Sequence, residues 1–401
     1  MSEQVRWQPA RGVRFRVLDD QGVLFDGRSR VVYFLNTAAT LLWCRIENGD
    51  AVDPGAEGMA GAAEAGVTAP QAQEIMAQWL SLGLLSGPGA AAAPQPPARP
   101  RTPRRSGRAV PPPGPDAIRR HYGLLRTGFV LAFADAELAD AVHPTLAHLA
   151  LADPVADPLA LALDRHRGGF RLAAGGRLLD ACRSLEEVAP LVKLHLARLA
   201  VARFPHRGAL HAGALAGADG SLLLPAASGS GKSLLAAALM ARGWSYLSDD
   251  TALLDAQDFA VTGVPYSLTI KEGGWDVAAQ YFPDVLRQAV HRRPDGHRVR
   301  YLPPVLGRAS PGPAEPRVRW IVAPRFVASA PPAEPRRIGR VEALRLLLLQ
   351  SSWVRPLDWK TIDRLIDGLD AIACWTLAYS SLDAAVAAVE DIVAKGDGDR
   401  R

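Results

Sequence analysis

Cysteine and lysine are both scarce in this chain of 401 residues, and each scarcity is informative. The three cysteines, Cys44, Cys182 and Cys374, are far apart and odd in number, and no CxxC pair occurs. A disulfide framework or a structural zinc site is therefore not expected. His291 and His297 have no partners at metal-ligand spacing, so no metal is assigned to them. Long apolar runs are missing. Leu234 to Ala241, among the longest, is far too short to span a bilayer. The N-terminus is charged and lacks an apolar signal core, so a soluble cytoplasmic protein with no membrane partner is expected. Acidic residues are absent between Ser86 and Pro115, a stretch that holds Arg99, Arg101, Arg104, Arg105 and Arg108. These five arginines match the whole formal net charge of +5. The basic balance is then a property of one segment, not of a nucleic-acid-binding face, and no nucleic-acid partner is expected.

What is present fills two or more domains, with an apolar fraction of 48% that is ample for packed cores. Residues 1–87 read as a first domain. Val13 to Val17 alternates like a half-buried strand, and Val23 to Phe25 and Val31 to Leu35 follow after turns at Gly22 and Gly27. Thr37 to Ile46 carries Ala38, Leu41, Leu42 and Ile46 on one helical face. A second helix begins near Thr68, with Gln71 as capping-box partner, buries Ile75, Met76, Trp79 and Leu80, and ends at Gly83. Three short strands with helices in so few residues predict a small winged helix. Residues 88–115, rich in Pro, Ala and Arg, read as a semi-rigid linker. Residues 116–395 read as an α/β unit with a mixed sheet.

Inside that unit lies Leu222-Leu223-Leu224-Pro225-Ala226-Ala227-Ser228-Gly229-Ser230-Gly231-Lys232-Ser233. A hydrophobic strand, a Gly-rich turn and a helix opening on Lys-Ser make a P-loop, which binds a nucleoside triphosphate. Backbone N–H groups from Ser228 through Gly229, Ser230 and Gly231 to Lys232 are suited to cradle phosphate oxygens. Lys232 is one of only five lysines among 46 basic residues, beside Lys193, Lys271, Lys360 and Lys395. A compact ammonium reaches between phosphates where a planar guanidinium fits poorly. Ser233 can place its hydroxyl on Mg²⁺. Ala226 stands where the full pattern has its first glycine, so that position must do without a positive φ.

The helix after the loop leads to Tyr246-Leu247-Ser248-Asp249-Asp250. A strand beside the P-loop strand would bring these carboxylates near the γ-phosphate and its metal. Adjacent residues of a strand point in opposite directions. One Asp can serve the metal shell while the other accepts a proton from an attacking hydroxyl. Together, His211-Ala212-Gly213, the loop from Ala226 to Ser233, Arg242-Gly243 and Ser248-Asp249-Asp250 resemble the HPr kinase/phosphorylase family, whose core is related to phosphoenolpyruvate carboxykinase. The resemblance covers roughly residues 209–265. It implies an ATP- and Mg²⁺-dependent kinase of that P-loop fold. In it Asp250 is the proton acceptor, Ser233 and Asp249 serve the metal, and His211 lies close to the phosphates. Ile270-Lys271-Glu272-Gly273-Gly274-Trp275 resembles the HPr-kinase-related kinases found near peptide-modifying genes, so HPr itself is not implied as substrate. Lys271 is a candidate contact for the phosphoryl group or acceptor. Arg298 and Arg300, read as part of a polar loop, are candidates for a phosphate clamp.

The front domain has its own resemblance. Tyr33-Phe34-Leu35-Asn36-Thr37-Ala38-Ala39 followed by Leu42-Trp43 is similar to the PqqD family of peptide chaperones, which implies capture of a leader peptide along a sheet edge. A DNA-binding winged helix is the rival, but Thr37 to Ile46 contains a single basic residue, Arg45. The reading that results is an ATP-dependent kinase for a hydroxyl, serine first, of a precursor peptide or small protein. A nucleotide-gated peptide chaperone and a small-molecule P-loop kinase are the alternatives. Adenine against guanine, reverse phosphorolysis and assembly into a homo-oligomer stay open.

Overall fold

A computed structural model describes residues 7–49, 68–86, 109–153, 155–255, 257–304 and 317–396. The linker expected at 88–115 lies outside the described residues up to position 108. The protein is of the α/β class, and the chain divides into two compact units. Among the described residues no helix is long and apolar enough to cross a membrane.

The first unit comprises residues up to 102 together with 339–345 and 355–371. Val13–Leu18, Gln21–Asp26 and Val31–Leu35 form an antiparallel meander with the second strand in the middle. That middle strand is buried from Gly22 to Asp26. Helix Thr37–Glu47 starts where the Asn36 side chain accepts the Ala39 amide at 2.8 Å. Helix Ala69–Ser81 starts where Gln71 Oε1 accepts both the amide and the hydroxyl of Thr68 at 3.0 Å. Their apolar faces meet in a core centred on Trp43, which is fully buried and lies edge-on to Trp79 with ring centroids 5.0 Å apart.

The segments 339–345 and 355–371 are some 250 residues further along the chain, and sequence order alone assigns them to the 116–395 region. They group with the first unit through paired charges. Arg16 Nη1 lies 2.7 Å from both Asp363 and Asp367, Arg340 pairs with Asp19 and Asp370, and Arg345 stacks over Phe34 at 4.8 Å. Helix Trp359–Leu369 buries Ile362, Leu365, Ile366 and Leu369, a stripe at helical spacing.

In the second unit, a mixed five-stranded sheet runs Arg177–Cys182, Gly169–Ala174, Leu159–His166, Thr127–Phe133, Ile118–Leu124. Helices Ala136–Leu146 and Val188–Arg203 bury Val142, Leu146, Val192 and Leu196 with Phe129 and Phe133 of that sheet. A mixed six-stranded sheet runs Ser245–Ser248, Ala212–Ala216, Ser221–Pro225, Val318–Phe326, Ala373–Tyr379, Ala333–Arg337. Ser221–Pro225, Val318–Phe326 and Ala373–Tyr379 are parallel, so their C-terminal ends share one edge. Smaller sheets are formed by Val261–Gly263, Ala252–Asp255, His206–Leu210 and Ser351–Trp353, and by Leu268–Lys271, Arg298–Leu302 and His291–Arg292.

Helix Lys232–Ala241 follows the Gly-rich turn. Its residues Leu235 to Met240 are all buried, so it is wrapped by core rather than lying on a surface. It stops in a Schellman turn: the Gly243 amide reaches Met240 O, and Trp244 N reaches Leu239 O at 3.1 Å. Gly243 supplies the φ of +98° that this stop requires.

Truncating the centre of the first core tests its account. Trp43→Ala is expected to lower stability of that unit by about 3–5 kcal/mol, the usual cost of a large aromatic cavity. Urea unfolding followed by circular dichroism measures it.

Candidate active site

Register explains how the site assembles. Ala212 pairs with Pro225, so the start of one strand is level with the end of strand Ser221–Pro225. Ala214 pairs with Ser248, so the chain leaves Ser245–Ser248 beside the same point. Ser245–Ser248 is therefore not the direct neighbour of Ser221–Pro225, contrary to the expectation from sequence. Ala212–Ala216 lies between them. Two antiparallel steps make Ser245–Ser248 parallel to Ser221–Pro225, and both deliver their following residues to one end of the sheet. His211 stands at the opposite terminus of the intervening strand, which is that same end.

The side chains then converge. Lys232 is buried, with 6% of its surface exposed. Its Nζ donates to Ala226 O at 3.3 Å and lies 3.1 Å from His211 Nε2. An ammonium has no lone pair, so Nε2 is the acceptor and Nδ1 carries the ring proton. His211 Nδ1 lies 3.1 Å from Asp250 Oδ1, completing a Lys232–His211–Asp250 chain. The two aspartates, in the bend just after strand Ser245–Ser248, diverge. Asp249 is buried and accepts from Ser233 Oγ at 2.6 Å and from the Thr269 amide at 2.8 Å. The Asp250 side chain is 71% exposed. Partial loss of water from its carboxyl at the cleft pushes its pKa up, but the His211 hydrogen bond and the charges of His211, Lys232 and Lys193 prevail and hold it at about 2. Burial lowers the pKa of Lys232, against the pull of Asp250 and Asp249.

The Gly-rich turn is braced from the neighbouring strand ends. Gly231, at φ +87°, is held by Tyr379 Oη on its carbonyl, and Phe326 N donates to Ser230 O at 2.9 Å. Ala226 is not among the residues at positive φ; Gly229 and Gly231 carry that conformation. The missing first glycine thus costs the loop no backbone strain.

These groups line a cleft of about 870 Å³. Lys271, at the end of strand Leu268–Lys271, reaches over it to donate to Ser228 Oγ at 3.1 Å. Arg300 does not line it. Arg298–Leu302 is a strand rather than part of a polar loop, because its apolar residues Val299, Tyr301 and Leu302 are buried. The Arg300 guanidinium stacks over Trp275 at 4.5 Å and donates to the carbonyls of Val285 and Leu286. Arg298 pairs with Glu272. A phosphate clamp from these two arginines does not form in this structure; Arg293 lines the cleft instead.

Lys193 was not singled out by motif reading, yet it lies in the cleft wall. Its Nζ donates to Ser267 O at 2.7 Å and Thr269 Oγ1 at 2.9 Å, and sits 4.5 Å from the centre of the Tyr301 ring. Burial brings its pKa down to about 8, against the attraction of Asp249 and Asp250. The signal that could have found it is residue type: a lysine kept inside a helix of an arginine-writing chain. Thr269 links it to Asp249, since the same residue accepts from Lys193 and donates its amide to Asp249.

The residues present fit a magnesium–triphosphate ligand. The Ser230 hydroxyl is buried in the loop without a protein hydrogen-bond partner, Lys232 offers a buried cation, and Ser233 with Asp249 offers a hard oxygen pair. Compared with known protein families and with curated proteins, the sequence matches no family model and no curated protein.

Two measurements follow from this geometry. A Cβ on Gly231 would fall 2.0 Å from Tyr379 Oη, whereas one on Gly229 meets nothing within 4 Å. Gly231→Ala is therefore expected to destabilise the chain more than Gly229→Ala, whose positive φ alone costs about 1–2 kcal/mol; paired urea melts compare them. Lys193 has a folded pKa depressed from 10.5 to about 8, so the unfolded chain binds the extra proton between those values. Its contribution to stability accordingly rises with pH across that window. Acylation of Lys193 is expected to rise with pH around 8, below the range of an unperturbed lysine. Peptide mapping by mass spectrometry across a pH series reads the midpoint.

Proposed function

We propose that this protein is an ATP- and Mg²⁺-dependent phosphotransferase acting on a hydroxyl of a peptide or small-protein acceptor. The observation that carries the reading is the convergence of the Ser228–Ser233 turn, buried Lys232, the Ser233–Asp249 pair and exposed Asp250 at one cleft. Loop amides and the N-terminus of helix Lys232–Ala241 receive phosphate oxygens. Lys232 exchanges its contact with Ala226 O for the phosphates and offsets charge on the transferring group. Ser233 and Asp249 would hold Mg²⁺, which would supply charge neutralisation at the phosphates. The acceptor oxygen forms its bond to the γ-phosphorus as the bond from that phosphorus to the bridging oxygen breaks. ADP departs with the electron pair, and the hydroxyl proton passes to Asp250. A carboxylate held at about 2 is a weak base. It orients the hydroxyl first and takes the proton late, when bonding to phosphorus has acidified the oxygen.

The first unit supports a peptide as acceptor. Val13–Leu18 and Val31–Leu35 are both edges of the meander, and Val17 and Val31 are exposed large apolar residues on them. An added peptide strand would pair with such an edge, as the PqqD resemblance implies. Covalent joining of the units would raise the acceptor's concentration at the kinase site.

The test is incubation with labelled ATP, Mg²⁺ and peptides encoded beside the gene. Label is expected on a hydroxyl. Asp250→Asn is expected to slow transfer at least about 100-fold while ATP affinity stays within a few-fold. Lys232→Met is expected to weaken ATP binding itself. Transfer at full rate by Asp250→Asn would remove Asp250 as the base. Label recovered solely as ATP or free phosphate, with peptide affinity altered by nucleotide, would instead mean a nucleotide-gated chaperone.

A further inference from the structure

His211 and Asp250 belong to two cavities at once. On one side they line the large cleft with the Gly-rich turn. On the other they line a smaller, more open groove of about 400 Å³, completed by Ala209, Leu210, Thr251 and residues 349–352. The groove lies at one end of the four-stranded sheet. Leu210 pairs there with Ala252 on one side and Ser351 on the other, and the His211 amide donates to Gln350 O at 2.7 Å. Register thus places residues 250–251 and 350–352 on either side of His211, as two walls around the histidine.

Resting on the phosphotransfer reading, we infer that this groove is the acceptor's entrance, and that it takes an uncharged, hydroxyl-bearing segment of polypeptide. Displacement at phosphorus is in line, so the acceptor oxygen must approach from the side away from the departing ADP. It must also touch Asp250. A groove that shares Asp250 with the phosphate cleft, yet contains none of the Gly-rich turn, meets both conditions.

The lining sets the acceptor's chemistry. Apart from His211 and Asp250, every residue of the groove is uncharged. Ser352 and Leu349 are exposed, and Leu349 has 75% of its surface free. The hydroxyls of Ser351, Ser352 and Thr251 and the amide of Gln350 suit a main chain that needs neutral hydrogen-bond partners. Leu349 suits an apolar neighbour of the reacting residue. A charged neighbour finds no counter-ion among the groove's residues except the two groups engaged in the reaction, whereas an uncharged one finds neutral partners throughout.

The probes are nine-residue peptides with one central serine, flanked by Ala, Leu and Gln, by Asp and Glu, or by Lys and Arg. Each is incubated with full-length protein, labelled ATP and Mg²⁺. The uncharged peptide is expected to have kcat/KM at least 10-fold above the other two. Ser352→Phe, which fills the groove, is expected to raise KM for that peptide at least 10-fold. Leu349→Ser, at an exposed position that leaves folding intact, is expected to raise it several-fold with little change in kcat. An unchanged KM in both variants, or equal use of all three peptides, overturns the groove as entrance. Transfer to serine-like small alcohols that ignores both variants also overturns it, in favour of a small-molecule acceptor reaching Asp250 through the large cleft. No transfer by the wild-type chain to any acceptor overturns the phosphotransfer reading itself, a result distinct from the others.

Discussion

Antiparallel register in three adjacent strands is the constraint on which the site depends. Ala212 opposite Pro225 and Ala214 opposite Ser248 bring one strand's start and two strands' ends to a common edge. The chemistry-bearing residues lie just beyond those termini: His211 before one strand, Asp249 and Asp250 after another, the Gly-rich turn after the third. Ser221–Pro225 is buried throughout and Ala212–Ala216 nearly so, so a slip by one residue would force every side chain into the packing of the opposite face, which a close-packed core resists. The packing that stabilises the sheet thus also fixes the distances between lysine, histidine and carboxylate.

Polar groups at that edge are arranged in two layers. Asp249, which is buried, with Ser233 and the Thr269 amide, which are half-buried, forms an inner set. Asp250 and His211 form an outer set at the mouth. Burial costs the inner carboxylate its hydration, and the two hydrogen bonds it accepts replace that hydration. The outer carboxylate's side chain is 71% exposed and lies open to the cleft. Adjacent, identical side chains thus take up different surroundings because the chain bends immediately after strand Ser245–Ser248.

Much of this was legible in the sequence, for reasons that can be named. Strands such as Val13–Leu18 and Val31–Leu35, and helices such as Ala69–Ser81, announce themselves by local periodicity and caps, and they form where those signals fall. The Gly-rich turn, Lys232 and the Asp pair are contiguous motifs, and their side chains meet at one cleft. Pairings between strands far apart in sequence carry no local mark. Nothing near Tyr246 says that its strand lies beside Ala212–Ala216 and not beside Ser221–Pro225. Strand Arg298–Leu302 was hidden by the Pro-Asp-Gly turn before it, whose polarity dominates the local window. Lys193 was hidden because its partners, Ser267, Thr269 and Tyr301, come from elements more than seventy residues away. The grouping of 355–371 with the first unit rests on ion pairs from Arg16, equally invisible to periodicity.

His211 sits at the joint between two sheets: the chain leaves His206–Leu210 of the four-stranded sheet and enters Ala212–Ala216 of the six-stranded sheet across this single residue. Its amide is tied to Gln350, while its ring spans Lys232 and Asp250. The chain makes a second crossing between the same two sheets at residues 249–251, from Ser245–Ser248 to Ala252–Asp255. The ring of His211 and the carboxylate of Asp250 thus sit on two separate crossings, and their contact ties one connection between the sheets to the other.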